Sequence, residues 1–280
     1  MATSLPALFV SHGSPMIALE PGAAGAFLQR LGRTIDATFG RPGAIVAVSA
    51  HTAAREPVLL AGAQHAAVHD FGGFDPKLYS LRYDAPGAPD LAPRVAGLLQ
   101  AAGLPVHVTG ESGLDHGIWT ALRYVWPHAD VPVLPLALVP NQPPARQFEI
   151  GAALAPLLEQ GVLVVGSGSI THNLQRVFAH GMPTRAEQPE IAESAAFRHW
   201  MAERSAARDW DALFDYRRRA PHAADMHPTD EHLLPWYAAA GAGGRDSAPV
   251  RLHDSVTYGC LGMDAYAFGP QAPALADALR

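Results

Sequence analysis

Four stretches of the chain are apolar at nearly every position: ALFV at 7–10, AIVAVSA at 44–50, VPVLPLALV at 131–139 and GVLVVGS at 161–167. A strand with one wet face alternates apolar and polar residues. Runs rich in Val, Ile and Leu without that alternation belong to strands covered on both sides. Between them, apolar residues recur every three or four positions, which predicts helices over 23–39, 89–102, 117–125, 145–159 and 189–207. Strand and helix in alternation predict the α/β class: a single layered domain over 1–280, its mostly parallel central sheet flanked by helices on both faces. No repeat, low-complexity tract or linker divides the chain; AAAGAGGRDSAP at 238–249 comes nearest to a flexible segment, after a helix assigned to the core. Residues 69–90 are too rich in aromatics, Gly and Pro for a regular element and read as a long ordered loop, of the kind that more often carries function than not.

The stretch VVGSGSITHNL, 164–174, runs from a buried strand into two glycines and then a histidine. A dinucleotide fingerprint would need a third glycine where Thr171 stands, so a phosphate cradle is not indicated. In open α/β sheets ligands gather outside the carboxyl ends of the strands. Three histidines fall at such ends: His12 after ALFVS, His51 after AIVAVSA and His172 after LVVGSGSIT. His116 precedes a helix, and His227 opens HPTDEHLLPWY, where Thr229 or Asp230 can cap the helix that follows. A lone histidine is usually structural, but several at one sheet edge match an open mononuclear metal site. There is no HExxH pair, since His227 and His232, five apart, would lie about 140° apart around a helix. There is no P-loop, and Ser167 in GSGS resembles a nucleophile elbow only loosely. His65, His69, His107, His128, His180, His199, His222, His232 and His253 read as structural or surface residues.

The chain has 280 residues, a formal charge of −6 and no basic stripe, which speaks against nucleic acid or an anionic membrane as a partner. No apolar run approaches the roughly 18 residues of a membrane span. The first residues lack a basic region and a cleavage site, so no secretory signal is expected. The single cysteine, Cys260, excludes a disulfide framework and a cysteine-based zinc cluster, fits a cytoplasmic location, and reads as a small buried hydrophobe. Against this plain background the 14 histidines stand out.

Six motifs in order, SHGSPM (11–16), SAHT (49–52), HDFGGFDPKLYSLRYDAPGAP (69–89), GLDHGIW (113–119), GSGSITHNL (166–174) and HPTDEHLLPWYAAAGA (227–242), resemble the class III extradiol ring-cleavage dioxygenases, in particular the DOPA 4,5-dioxygenase-like branch. The resemblance implies metal ligation by His12, His51 and His227, with His116 and His172 on the substrate side as acid/base groups. It leaves His172 as either the base or a fourth ligand. The glycines of GSGSITHNL would let the backbone turn sharply beside the metal. Fe(II) is implied as the catalytic metal, with Zn(II) able to occupy the same ligands. The implied reaction opens a catechol such as DOPA with dioxygen to a muconic semialdehyde-type product. A zinc-dependent hydrolase or a non-catalytic metal-binding relative is the alternative. Thr52 and Gly72 stand where the family commonly has tryptophan and tyrosine, which would remove aromatic bulk from the pocket. The 69–90 loop would form part of the pocket wall, with Arg82 and Lys77 as candidates for a substrate carboxylate.

Overall fold

The four apolar runs lie side by side. In the computed structural model, which describes residues 4–179 and 185–280, they form strands β1 (Ala7–Ser11), β2 (Ala44–Ser49), β3 (Val133–Pro135) and β4 (Val162–Gly168), buried along their whole length. Strands β5 (Val250–His253) and β6 (Ala265–Phe268) complete the sheet in the order β3-β2-β4-β1-β6-β5. The pairs from β3 to β1 are parallel, and β6 runs antiparallel to both its neighbours. The expected α/β layering with a mostly parallel sheet is what forms. The run at 131–139 pairs with β2 over three residues, Val133 to Pro135, with Leu136 N–H still donating to Ala47, and then turns to other partners, with Ala137 N–H donating to Val58 and Leu138 N–H to Thr52.

The predicted helices occur at Gly22–Thr38, Ala92–Ala101, His116–Val125, Pro144–Leu154 and Ala192–Ala206. The fourth is shorter than expected, since Pro156 ends the α-helix and the chain tightens into a 3-10 turn, Ala155–Gln160. The stretch read as nearly flexible begins inside a helix, Leu234–Gly243, whose residues from Leu234 to Ala242 are all buried. Its small residues let it lie against Pro144–Leu154 backbone to backbone: a Cβ on Gly241 would come within 2.0 Å of the Phe148 carbonyl. Among the described residues no helix is long and apolar enough to cross a membrane. His180 lies outside the described residues.

Gly166 and Gly168 do not make the sharp turn expected of them. Both sit within β4, and neither has a positive φ. What they permit is close approach. A Cβ on Gly166 would meet the Pro235 carbonyl oxygen at 2.1 Å, and one on Gly168 would meet that of His232 at 2.0 Å. The bare strand therefore lets the segment 232–235 rest on it, with Ser169 N–H donating to the His232 carbonyl at 2.9 Å. Gly168→Ala is expected to lower the unfolding midpoint by about 3 °C or more, the result of overpacking worth about 1–3 kcal/mol. Gly72→Ala, where a Cβ meets nothing within 4 Å, should leave the midpoint within about 1 °C in the same calorimetric scan.

Candidate metal centre and active site

Because β2, β4 and β1 are neighbours, the segments leaving their carboxyl ends converge and bring His51, His172 and His12 together. His12 is fully buried. Its Nδ1 lies 3.0 Å from Ser167 Oγ, and that hydroxyl donates its one proton to the Gly117 carbonyl. The same oxygen can then only accept, so His12 carries its proton on Nδ1. The His12 Nε2 lone pair faces His51 Nε2 at 3.0 Å.

His232 arrives from the opposite side. Its Nδ1 donates to Glu231 Oε1 at 3.2 Å, an oxygen also held by Thr229 Oγ1 at 2.9 Å. Its Nε2 is thereby left unprotonated, 3.3 Å from His51 Nε2. A single N–H on His51 would have to be shared between two acceptors; a divalent cation among them would take all three lone pairs. The spacings suit one, since metal–imidazole bonds of about 2.0–2.1 Å give N···N edges of about 3.0–3.4 Å.

Asp70 stands behind two of the rings. Its Oδ1 accepts from both the backbone N–H and the ring Nδ1–H of His116 at 3.0 Å, while Oδ2 lies 3.9 Å from His51 Nδ1. Burial alone would raise the Asp70 carboxyl, but the hydrogen bonds from His116 hold it below its usual value. One ring nitrogen from each of His12, His51 and His116 falls within 4.8 Å of the other two. Desolvation, followed by the neighbouring imidazoles, pushes His12 and His232 well below 6.5 and His51 to about 4. The rings are therefore neutral near pH 7, which is the ligating form.

The loop before His116 is tied to β2. Asp115 caps the helix by accepting from Ile118 N–H at 3.2 Å, and it also accepts from Ser49 Oγ at 2.7 Å and Thr52 Oγ1 at 2.5 Å. Thr52 thus braces a buried carboxylate and does not line the cavity, contrary to the expectation that its small size opens the pocket. Gly117 has to be glycine: a Cβ there would meet Ser49 Oγ at 2.5 Å and His12 Cε1 at 2.9 Å.

His227, expected as the third ligand, does not join the cluster, and the ring that stands beside His51 on that side is His232. Its Nε2–H is spent on the Ile170 carbonyl at 2.8 Å, and its ring packs against Phe197 and Tyr216 with Nδ1 buried and unpartnered. Neither Thr229 nor Asp230 caps the next helix through its side chain. Thr229 holds Glu231, and Asp230 accepts from Tyr216 Oη at 2.5 Å. His172 stacks face to face on His232, with centroids 3.4 Å apart and planes 6° from parallel. Burial first, then nearby imidazoles, takes its pKa to about 3. Asp70, Glu231 and His232 are the residues that motif reading missed. The signal available for His232 was the pair of glycines in β4, which call for another backbone lying against the strand.

A cavity of about 470 Å³ opens on this cluster, with His51, His116, His172 and His232 in its lining. The 69–90 segment supplies Asp70, Phe71, Gly72, Phe74 and Asp75, so this loop walls the pocket as expected. Arg82 and Lys77 do not line it; Arg82 is exposed and pairs with Asp84 at 2.7 Å. Cys260 is buried, and desolvation pushes its thiol up to about 11.

The family model described as the catalytic LigB subunit of aromatic ring-opening dioxygenase matches residues 6–269. A 4,5-DOPA dioxygenase extradiol of Beta vulgaris is 34% identical over 263 residues, covering 93% of this chain and 95% of its own. One from Escherichia coli K12 is 43% identical over 181 residues, 64% of this chain and 65% of its own. The crystal structure of an uncharacterized protein from Escherichia coli K12 has a TM-score of 0.74 at 29% identity, covering 95% of this chain and 100% of the other.

The geometry separates two histidines that the motif places five residues apart. His232→Ala should weaken Zn(II) binding, measured by chelator competition, by more than the about 10–100-fold that loss of an outer-shell partner costs. His227→Ala should bind Zn(II) like the parent while unfolding at lower denaturant. Acid should act through His227 as well. Desolvation lowers it from 6.5 to about 4, so the unfolded chain binds the proton first. That difference is worth about 3 kcal/mol, fully present above pH 6.5 and lost as pH falls towards 4. The stability of His227→Gln should accordingly fall less between pH 7 and pH 4 than that of the parent.

Proposed function

The chain belongs to the LigB family of aromatic ring-opening dioxygenases, and from that premise we propose that it opens a catechol, DOPA among its substrates, with dioxygen to a muconic semialdehyde-type product. His12, His51 and His232 are the residues that would hold the metal, Fe(II) for catalysis, with Zn(II) able to take the same donors. When bound, the metal supplies adjacent open positions for the two diol oxygens and for dioxygen. The observation that carries this reading is the convergence of three unprotonated or proton-sharing Nε2 atoms, at 3.0 and 3.3 Å, beside a cavity that two further histidines line.

Three neutral imidazoles bring no negative charge to the site, so the diol is favoured as its anion. A group must then take the diol proton. His172 lines the cavity and is neutral near pH 7, which suits it to act as that base. Its stacking on His232 argues against ligation. An imidazole binds a metal in the plane of its ring, and the His172 plane is parallel to that of His232 but displaced by about the 3.4 Å centroid separation. His172 would have to rotate to share the ligand. His116, anchored through its Nδ1–H to Asp70, leaves Nε2 as a lone pair that can take a proton and pass it on at the oxygen side of the substrate.

Oxygen uptake by protein reconstituted anaerobically with Fe(II), measured across a panel of catechols, should show one dioxygen consumed per ring opened. His172→Gln should lower turnover by about 10² to 10⁴, the worth of a general base, with iron content close to the parent's. Loss of iron together with activity would make His172 a ligand, and a fully active, iron-loaded variant would remove it from the chemistry. Substrate turnover without oxygen would contradict the dioxygenase reading itself.

A further inference from the structure

Two charged groups in the cavity lining take no part in the metal centre, and their signs are opposite. Glu20 and Arg185 both line the 470 Å³ cavity and both line the adjoining space bounded by Gly22, Ser255 and Thr257, so they stand at the junction of the two. The other lining carboxylates are engaged, Asp70 by His116 and Asp75 by the backbone N–H of Lys77. Among the described lining residues Arg185 is the one cation apart from the histidines. Its approach to Glu187 is loose, at 3.9 Å with the two side chains 77% and 86% exposed. Among the described residues Glu20 and Arg185 do not pair with each other within 4.0 Å.

Among the described residues Glu20 has no hydrogen-bond or ion-pair partner for its carboxylate and Arg185 has only the loose contact with Glu187, and a carboxylate and a guanidinium at one mouth are the complement of a zwitterion. We propose that Glu20 and Arg185 bind the head of an α-amino acid, with Arg185 on the α-carboxylate and Glu20 on the α-ammonium, while the diol reaches the histidines inside. This rests on the catechol-opening reading and assigns to it two residues that would set specificity for the tail of the substrate. Arg185 matches a planar carboxylate with two parallel N–H bonds. Glu20 contributes selectivity as well as attraction, because it repels a tail that bears a carboxylate alone, and Arg185 likewise repels one that bears an ammonium alone.

The test is equilibrium binding by calorimetry to the Zn(II)-loaded chain without oxygen, using L-DOPA, 3,4-dihydroxyphenylpropionate, dopamine and 4-methylcatechol. The parent should bind L-DOPA tightest of the four. Arg185→Gln should weaken L-DOPA and dihydroxyphenylpropionate by about tenfold, as expected for one charged hydrogen-bonding partner, and leave 4-methylcatechol within twofold. Glu20→Gln should weaken L-DOPA and dopamine and tighten dihydroxyphenylpropionate. The proposal is overturned if the parent does not bind L-DOPA, if both variants bind it as the parent does, or if either weakens 4-methylcatechol equally. The expected binding pattern without ring opening in the iron-loaded, oxygenated protein would support the pair and sink the catalytic reading. Ring opening with no discrimination by the variants would do the reverse.

Discussion

Three imidazole Nε2 atoms are held towards one another, and the surrounding structure is arranged to keep them so. Left to themselves such rings would turn apart or take up protons. His12 is prevented by Ser167, whose hydroxyl is itself committed to the Gly117 carbonyl, and His232 is prevented by Glu231. The parallel core of the sheet aligns β1, β2 and β4 so that His12 and His51 leave the same edge. The glycines of β4 admit the backbone that carries His232, and Gly117 leaves room for the His12 ring. Burial then keeps the rings neutral.

The same arrangement divides the histidines by what stands behind them. His12, backed by a hydroxyl, and His232, backed by a carboxylate, turn Nε2 towards that of His51, while His172 is held by stacking and by its backbone bond to the Met226 carbonyl. A ring without a partner on either nitrogen is free to exchange a proton. The cavity adds aromatic walls from the 69–90 segment and a carboxylate and a guanidinium at the mouth. On the proposed reading, metal, base and tail recognition come from separate elements of one fold.

Much of this was legible from hydropathy. The four apolar runs, the α/β class and the meeting of His12, His51 and His172 follow from strands covered on both faces and from the convergence of loops at their carboxyl ends. The edge strands β5 and β6 escaped notice because they are short, and VRLH at 250–253 mixes charge with apolar residues as a surface segment would. The misplacement of His227 has a physical cause. Angular spacing between positions 227 and 232 has meaning only on a helix, and there the chain passes through bends and turns, with the helix starting at Leu234. The glycines of GSGSITHNL were correctly singled out but assigned to a turn. In an extended strand a glycine instead marks a close backbone neighbour, here the carbonyl of His232.

The most direct measurement is a crystal of the Zn(II)- or Fe(II)-loaded protein with anomalous diffraction recorded on both sides of the metal's absorption edge. One peak should appear within about 2.0–2.2 Å of Nε2 of His12, His51 and His232, with His172 stacked outside the coordination sphere. A peak bound by His227, or one bound by His12, His51 and His116 with His232 turned away, would contradict the account.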